Sequence, residues 1–501
     1  MNGLERSQFY GRMFPPTSTP VDPKKEEDLI TLGKAMRDSG LRSRNTTPAG
    51  MTYFGQFIDH DLTQDTTKLG ERDVEPHAVR NYRNPRLDLE LIYGQGPALS
   101  PHLYEADGVR LKIGKTAPSS DGRFPGGTLR DIARKDDHTP LHADPDDPRN
   151  MENLIVMQIH VLFMKFHNAA VDQCRENAFN ALPLSDKTFA RAQQLVRWHY
   201  QYLVRRVFLP EVADHDIVKM VRQQGAKIAW HEGGLFIPAE FSMAAFRFGH
   251  SMVRAEYAVN AHHPNVSLVG LMAHGDPPER LREDWLFEWG RLFDDVDLLR
   301  SGPDIPSGTI NTSIVEPLHH LPEYTKRQFS DKSEEPQPRQ LPSRTLLRCA
   351  RAFLPTGQEV AARLVDAGLL APADVLTDVG LTEPTQDDTN DESGKVLASI
   401  EWLKEKTPLY YYLLKEAEVL GHKNHTLGPV GSRIVAEVIE RVLQADPDSY
   451  VRTNGLGSDW VPPAVWRFRD EGGLHPIISF RDLVKLVGDD LPQGCVAIPP
   501  N

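Results

Sequence analysis

A mainly α fold, with helices joined by long loops and little β, is what the sequence predicts, on three observations. Apolar residues recur at helical spacing through several long windows, chiefly 153–177, 188–208 and 427–445. Strand-like alternation is scarce, and no repeat or glycine-rich phosphate loop breaks the pattern. The composition, 40% hydrophobic and 25% charged, is that of a globular chain.

Whole-chain properties exclude several classes. The length of 501 residues allows a large core and, as a prior, roughly two to four folding units. A net charge of −13 argues against a nucleic-acid surface. Three scattered cysteines, Cys174, Cys349 and Cys495, make neither a disulfide framework nor a zinc site. Residues 1–23 are polar and Pro-rich, so no secretory signal is read there. The longest apolar window, 154–166, contains Gln158, His160 and Lys165 and is too short to span a bilayer. The chain therefore reads as soluble, with its compartment and oligomeric state unknown.

Taken in order, residues 26–38 form a short amphipathic helix after a Pro-rich entry. Residues 52–63 follow, where Gln56 and His60 stand four apart and share a helix face. Asp59 and Asp61 flank that face, each diverging by about 100°. This turn can offer an amide and an imidazole to a cavity, one carboxylate to its rim and the other to a cation behind it. Alone, it is an ordinary acidic helix turn with one satisfied histidine. In residues 81–94, Asn84, Arg86, Asp88 and Glu90 alternate at i, i+2. Loop oxygens so arranged suit Ca²⁺, although an acidic edge strand has the same pattern.

Residues 115–148 read as a long irregular loop, rich in Gly, Pro, Asp and Ser. It delivers the chain to Arg149 and Glu152, three apart at the start of the helix 153–177. A cap explains the acid, but the dipole disfavours an arginine there. A second long helix covers 188–208. The segment 241–257 reads as a helix with Arg247 and His250 three apart, and Gly249 leaves room for something bulky. Residues 324–344 make an exposed connection, 346–367 and 427–445 two more helices, and 385–395 a polar loop.

Two histidines on separate helices, with an arginine, a glutamine and several carboxylates, have one economical chemical use. One histidine holds a haem iron whose other face stays open. The second takes a proton from hydrogen peroxide and returns it to the departing oxygen, while the arginine stabilises the developing charge.

Residues 54–62, Phe-Gly-Gln-Phe-Ile-Asp-His-Asp-Leu, closely resemble the distal motif of animal-type haem peroxidases, the peroxidase–cyclooxygenase superfamily. The resemblance implies His60 as distal base, Gln56 as its cavity neighbour, Asp61 as a Ca²⁺ ligand and Asp59 as an ester link to a haem methyl. Arg149-Asn150-Met151-Glu152 is similar to the family's Arg-x-x-Glu, implying a distal arginine and a second ester-linking acid. Phe246 to His250 resembles the proximal helix, with His250 on the iron and Arg247 near a propionate. Residues 341–348 resemble the segment in which Thr345 stands for the residue orienting the proximal histidine, and Arg348 meets a propionate.

The similarity runs from about Phe14 to Val451 and implies one domain over 1–501, with an arm 1–45, a haem-binding core 46–450 and a C-terminal segment 451–501. Residues 427–437 resemble the bacterial branch most. Departures carry information. Asn153 follows the second acid where some members have a haem-linking methionine, so at most two esters are expected. Thr345 replaces the usual asparagine. Asn84 and Glu90 replace the usual threonine and serine or aspartate of the cation loop. Arg247 stands where cyclooxygenases have a radical tyrosine.

The expected function is reduction of hydrogen peroxide through an oxoferryl intermediate, with oxidation of small organic donors, halide or thiocyanate. The cofactors are b-type haem, ester-linked through Asp59 and Glu152, and Ca²⁺ held by Asp61, Asn84, Arg86, Asp88 and Glu90. The alternatives are a fatty-acid dioxygenase of the same superfamily and a non-catalytic haem-binding module. No nucleic acid and no membrane span enter any of these readings.

Overall fold

The computed structural model describes residues 8–17, 21–38, 45–67, 75–136, 138–176, 185–228, 230, 234–273, 279–293, 306–321, 338–385, 391–422, 425–454, 460–468 and 472–488. Helices dominate it, and it forms one domain. Its centre is aromatic. Phe54 and Phe57, three apart on the helix Ala49–Leu62, meet Phe163 of Leu154–Glu176 and Tyr200 of Ser185–Leu203. Phe480, opening the helix Phe480–Val487, lies edge-on to Phe54 at 4.8 Å and stacks on Phe293 at 4.0 Å. Ring pairs of this kind add about 0.5–1.5 kcal/mol each beyond the area they bury. The cluster fixes the rotation of Ala49–Leu62, and so decides which of its residues face elsewhere.

The long helix Leu154–Glu176 is 23 residues and could cross a membrane by length and composition, yet 83% of its most apolar window is buried inside the fold. It is a core helix. Around it, Pro23–Ala35 starts on Asp22, whose carboxylate accepts from the Lys25 amide at 2.9 Å. That helix packs backbone-close on Leu341–Arg351, since a Cβ at Gly33 would lie 2.5 Å from the Ser343 nitrogen. Arg351 donates to both Glu26 oxygens at 2.9 Å across the same contact. Leu409–Leu420 and Pro429–Ala445 close the far side.

Several elements differ from the sequence expectation. The segment 241–257 is not one helix. It runs as a π turn Glu240–Ala244, a 3-10 turn Ala245–Phe248 and one α turn Gly249–Met252, then enters the strand Glu256–Tyr257. Such irregular turns concentrate at functional sites. A second π turn, Val204–Phe208, continues Ser185–Leu203. The expected helix 346–367 breaks in two, because Phe353 adopts φ 51° and Thr356 starts Gly357–Asp366 with a capping box to Glu359. The loop 115–148 contains a strand, Leu129–Ile132, paired antiparallel with Ile113–Lys115. Glu90 begins the short helix Glu90–Tyr93, so the i, i+2 alternation ends there. Likewise Glu392–Ser399 is helical where a polar loop was expected. Much of 324–344, and Cys495, lie outside the described residues.

Candidate active site

The helix Ala49–Leu62 has two working faces. While Phe54 and Phe57 pack in the aromatic cluster, Gln56, Asp59 and His60 line an internal cavity of about 260 Å³ that opens to solvent. Glu152, Asn153 and Phe208 also line it, as do Arg247, Phe248, Gly249 and His250 of the irregular segment. A Cβ built on Gly249 meets nothing within 4 Å, which leaves room beside His250.

His60 is buried, and its Nδ1 lies 2.8 Å from Asn150 Oδ1. Burial, aided by the Arg149 charge, pushes this imidazole down to about 3, so it is neutral at ordinary pH. Arg149 is not among the cavity-lining residues. Its Nε donates to Asp147 Oδ1 at 2.6 Å and its Nη2 to Asp147 Oδ2 at 2.7 Å. Nη2 also reaches the Thr63 carbonyl at 2.6 Å and the His60 carbonyl at 3.4 Å. Asp147 is buried and held below the usual carboxylate range against its own desolvation, by Arg149 first and then by His60 and Arg83. The guanidinium is thus anchored beside the histidine by a paired carboxylate.

Asp59 and Glu152 both border the space. Asp59 is pushed up by burial, a shift opposed by Arg149 and Arg247, and its Oδ1 accepts from the Thr63 hydroxyl at 3.1 Å. Arg247 donates from Nε to the Ser242 carbonyl at 2.9 Å. Arg348 does not line the space. It is tied to Asp65 and to the Thr67 carbonyl.

His250 carries a different environment. Its ring lines the cavity, but Nδ1 is buried without a hydrogen-bond partner among the described residues, and burial pushes the imidazole down to about 3. The Thr345 hydroxyl donates to the Leu341 carbonyl at 3.0 Å, one turn back in its own helix. Tyr410 stands nearby, its ring centroid 6.5 Å from that of His250 and its hydroxyl unpartnered.

The candidate cation loop folds around Asp61. Its two oxygens accept backbone N–H groups of Asp88, Leu89 and Glu90 at 3.0, 3.1 and 3.0 Å. Leu89 takes φ 61° to aim its amide there. Glu90 instead turns its carboxylate to Arg83 at 3.5 Å and to the Asn84 amide at 3.3 Å. Asp88 Oδ1 is buried and unpartnered, and its carboxyl is pushed well up by burial and then by Asp61. Among the described residues, no three His, Cys, Asp or Glu side chains are gathered to hold a metal ion.

Sequence reasoning missed Asn150, Asp147 and Tyr410. Asn150 stands between Arg149 and Glu152 and Asp147 closes the loop before them, where spacing marked only Arg149 and Glu152; Tyr410 has no sequence signal beyond an apolar helix.

Known proteins are similar to this chain in sequence and fold. The family model for animal haem peroxidases matches residues 66–330, a stretch that contains Arg149, Glu152 and His250 and begins after His60. A peroxidase-like protein of Margaritifera margaritifera is 25% identical over 251 residues, 41% of this chain and 31% of that protein. Peroxidase mlt-7 of Caenorhabditis elegans is 22% identical over 327 residues, 56% of this chain and 41% of that protein. The chain spans less than half the length of these two relatives. Among solved structures, peroxidase A of Dictyostelium discoideum is similar with a TM-score of 0.57 at 13% identity, over 99% of this chain and 95% of that one. The fatty acid alpha-dioxygenase of Oryza sativa is similar with a TM-score of 0.56 at 15% identity, over 88% and 76%. These two likenesses establish the fold. With more than half of its 501 residues matched by the family model, the chain belongs to the haem-binding animal haem peroxidase family.

Proposed function

We propose that the chain is a haem peroxidase that reduces hydrogen peroxide and oxidises small organic donors, halide or thiocyanate. The observation that carries this is one cavity lined by His60, Gln56 and His250, with Arg149 anchored at the backbone of His60. A haem-holding module needs His250 alone. A neutral imidazole with an arginine fixed beside it is what proton removal from a peroxide requires.

The residues fit haem. His250 would hold the iron, Gly249 leaves space for the ring, and Arg247 borders the cavity where an anionic propionate needs a cation. Asp59 and Glu152 border the same cavity, so they are the acids that would be esterified to ring methyls, and residues 46–450 would form the binding core. Bound haem supplies the redox-active iron at which the O–O bond of hydrogen peroxide is reduced. His60 removes a proton from the peroxide and gives it to the departing oxygen, which leaves as water. Gln56, one turn away on the same face, orients the peroxide by its amide. Arg149, always cationic, stabilises the charge that develops and transfers no proton. Asp61 adjoins His60, so Ca²⁺ on Asp61, Asp88 and the Asn84 and Arg86 carbonyls would stiffen the distal turn. The orphaned Asp88 oxygen supports a cation there, and Glu90 completes the shell only by leaving Arg83.

The fatty-acid dioxygenase reading has the fold likeness to the Oryza sativa enzyme behind it. Against it, Arg247 occupies the place of the radical tyrosine of cyclooxygenases. One experiment separates the readings. The haem-loaded protein is mixed with one equivalent of hydrogen peroxide, and its Soret band is followed with and without a phenolic donor. A prompt shift that the donor reverses supports a peroxidase. An unchanged band, or oxygen uptake with a fatty acid and no donor turnover, rejects it.

A further inference from the structure

We propose that Asn150 is a positioning residue that locks the tautomer of His60, keeping Nδ1 protonated and Nε2 a bare acceptor. This rests on His60 being the group that takes the peroxide's proton. The 3-10 turn Arg149–Met151 places Asn150 between two buried histidines. Its Oδ1 is 2.8 Å from His60 Nδ1, and its Nδ2 is 3.2 Å from His160 Nδ1. His160 comes from the long helix Leu154–Glu176, so the amide bridges two elements of the core.

An amide in this place can be seated only two ways, and they dictate opposite tautomers. With oxygen toward His60, His60 must donate from Nδ1, and its remaining lone pair is on Nε2. With nitrogen toward His60, Nδ1 is bare and Nε2 carries the hydrogen, so the ring cannot accept a proton at Nε2. The contact lengths favour the first seating. Oxygen is the smaller atom, and 2.8 Å is ordinary for N–H···O, whereas the 3.2 Å contact suits N–H···N.

His160 closes the arrangement at its other end. Accepting at Nδ1, it carries its hydrogen on Nε2. His160 and Asn150 also line a second, separate cavity with Asp147, His142 and Met164. Adjacent residues of one turn thus serve one histidine: Arg149 holds its carbonyl and Asn150 its ring.

The direct test is ¹⁵N NMR of the full chain, labelled at histidine, in its diamagnetic ferrous carbonyl form. His60 is expected to show a protonated Nδ1 and an unprotonated Nε2, with His160→Gln and His60→Gln used for assignment. A protonated Nε2 on His60 overturns the proposal. Functionally, Asn150→Leu should slow both the peroxide reaction and cyanide binding at least about tenfold with haem content retained, because cyanide enters as HCN and needs the same base. Asn150→Asp, which keeps an oxygen for His60 and loses the donor to His160, should restore both. Should Asn150→Leu fail to fold, the wild-type spectrum and the Asp variant still decide. If His60→Ala reacts as fast as wild type, the peroxidase reading falls. If His60→Ala is slow but Asn150→Leu is not, only the role of Asn150 falls.

Discussion

His60 and His250 line the same cavity, yet their second ring nitrogens are treated in opposite ways. His60 Nδ1 is bonded to Asn150 within a layered network that continues to His160, while Arg149, Asp147 and Arg83 brace the same turn. His250 Nδ1 has no partner among the described residues, and the Thr345 hydroxyl, expected behind it, donates to Leu341 instead. A base must be held in one tautomer to within a fraction of an ångström, so its surroundings are rigid and polar. A metal-bound imidazole is held by the metal, and an acceptor behind it tunes basicity. The contrast is the one the proposed roles require, the fixed histidine for proton transfer and the loosely held one for iron.

The comparison can be broken at its strongest point first. His250→Ala should abolish stable haem binding or the high-spin ferric spectrum, measured as haem per protein and Soret absorbance; unchanged values would remove His250 from the iron. On the distal side, prolonged chelation with EGTA should release one Ca²⁺ per chain and perturb the haem spectrum through the Asp61–His60 link, as metal analysis would show. Full activity in protein free of Ca²⁺ would exclude that ion. Smaller in effect, Thr345→Asn supplies the proximal Nδ1–H with an acceptor. The ferric–ferrous potential should move negative by redox titration, and no movement would mean that His250 already has a partner when loaded.

The smallest effect concerns Glu416, on the helix that carries Tyr410 to His250. It is fully buried, accepts from the Val430 and Gly431 amides at 3.0 and 3.1 Å, and burial pushes its carboxyl up to about 8. A carboxyl raised in the folded state is most stabilising below its unfolded value of about 4.3, and that stability is lost as pH rises through the folded value. Glu416→Gln should therefore flatten the fall in melting temperature between about pH 4.5 and 8. A variant with the wild-type slope would contradict the shift.

Much of this was legible in the sequence because helical periodicity and short spacings are local. Gln56, Asp59 and His60 share one turn and Arg247 and His250 another, each legible by spacing alone, and the fold brings them with Glu152 to one space. What stayed hidden depends on contacts across the chain. Asn150 bonds a residue 90 positions away, and no local pattern marks it out from a helix cap. The π and 3-10 turns at 240–248 follow from packing, with Glu240 buried against the Met13 and Phe14 amides. A helical pattern in 241–257 could not reveal that break. Arg348 satisfied its family pattern in sequence, yet it bonds Asp65 in the fold.

The most direct measurement is stopped-flow Soret change on mixing hydrogen peroxide with wild type, His60→Ala, Arg149→Leu and the double variant, each at matched haem content. General acid–base catalysis is worth about 10²–10⁴-fold, so His60→Ala should react at least about 10²-fold more slowly while keeping its haem. Arg149→Leu should also be slow, and the two losses should not add, because both residues act on one transition state. A His60→Ala protein that reacts at the wild-type rate would show that the fixed histidine is not the base, and that the cavity only holds haem.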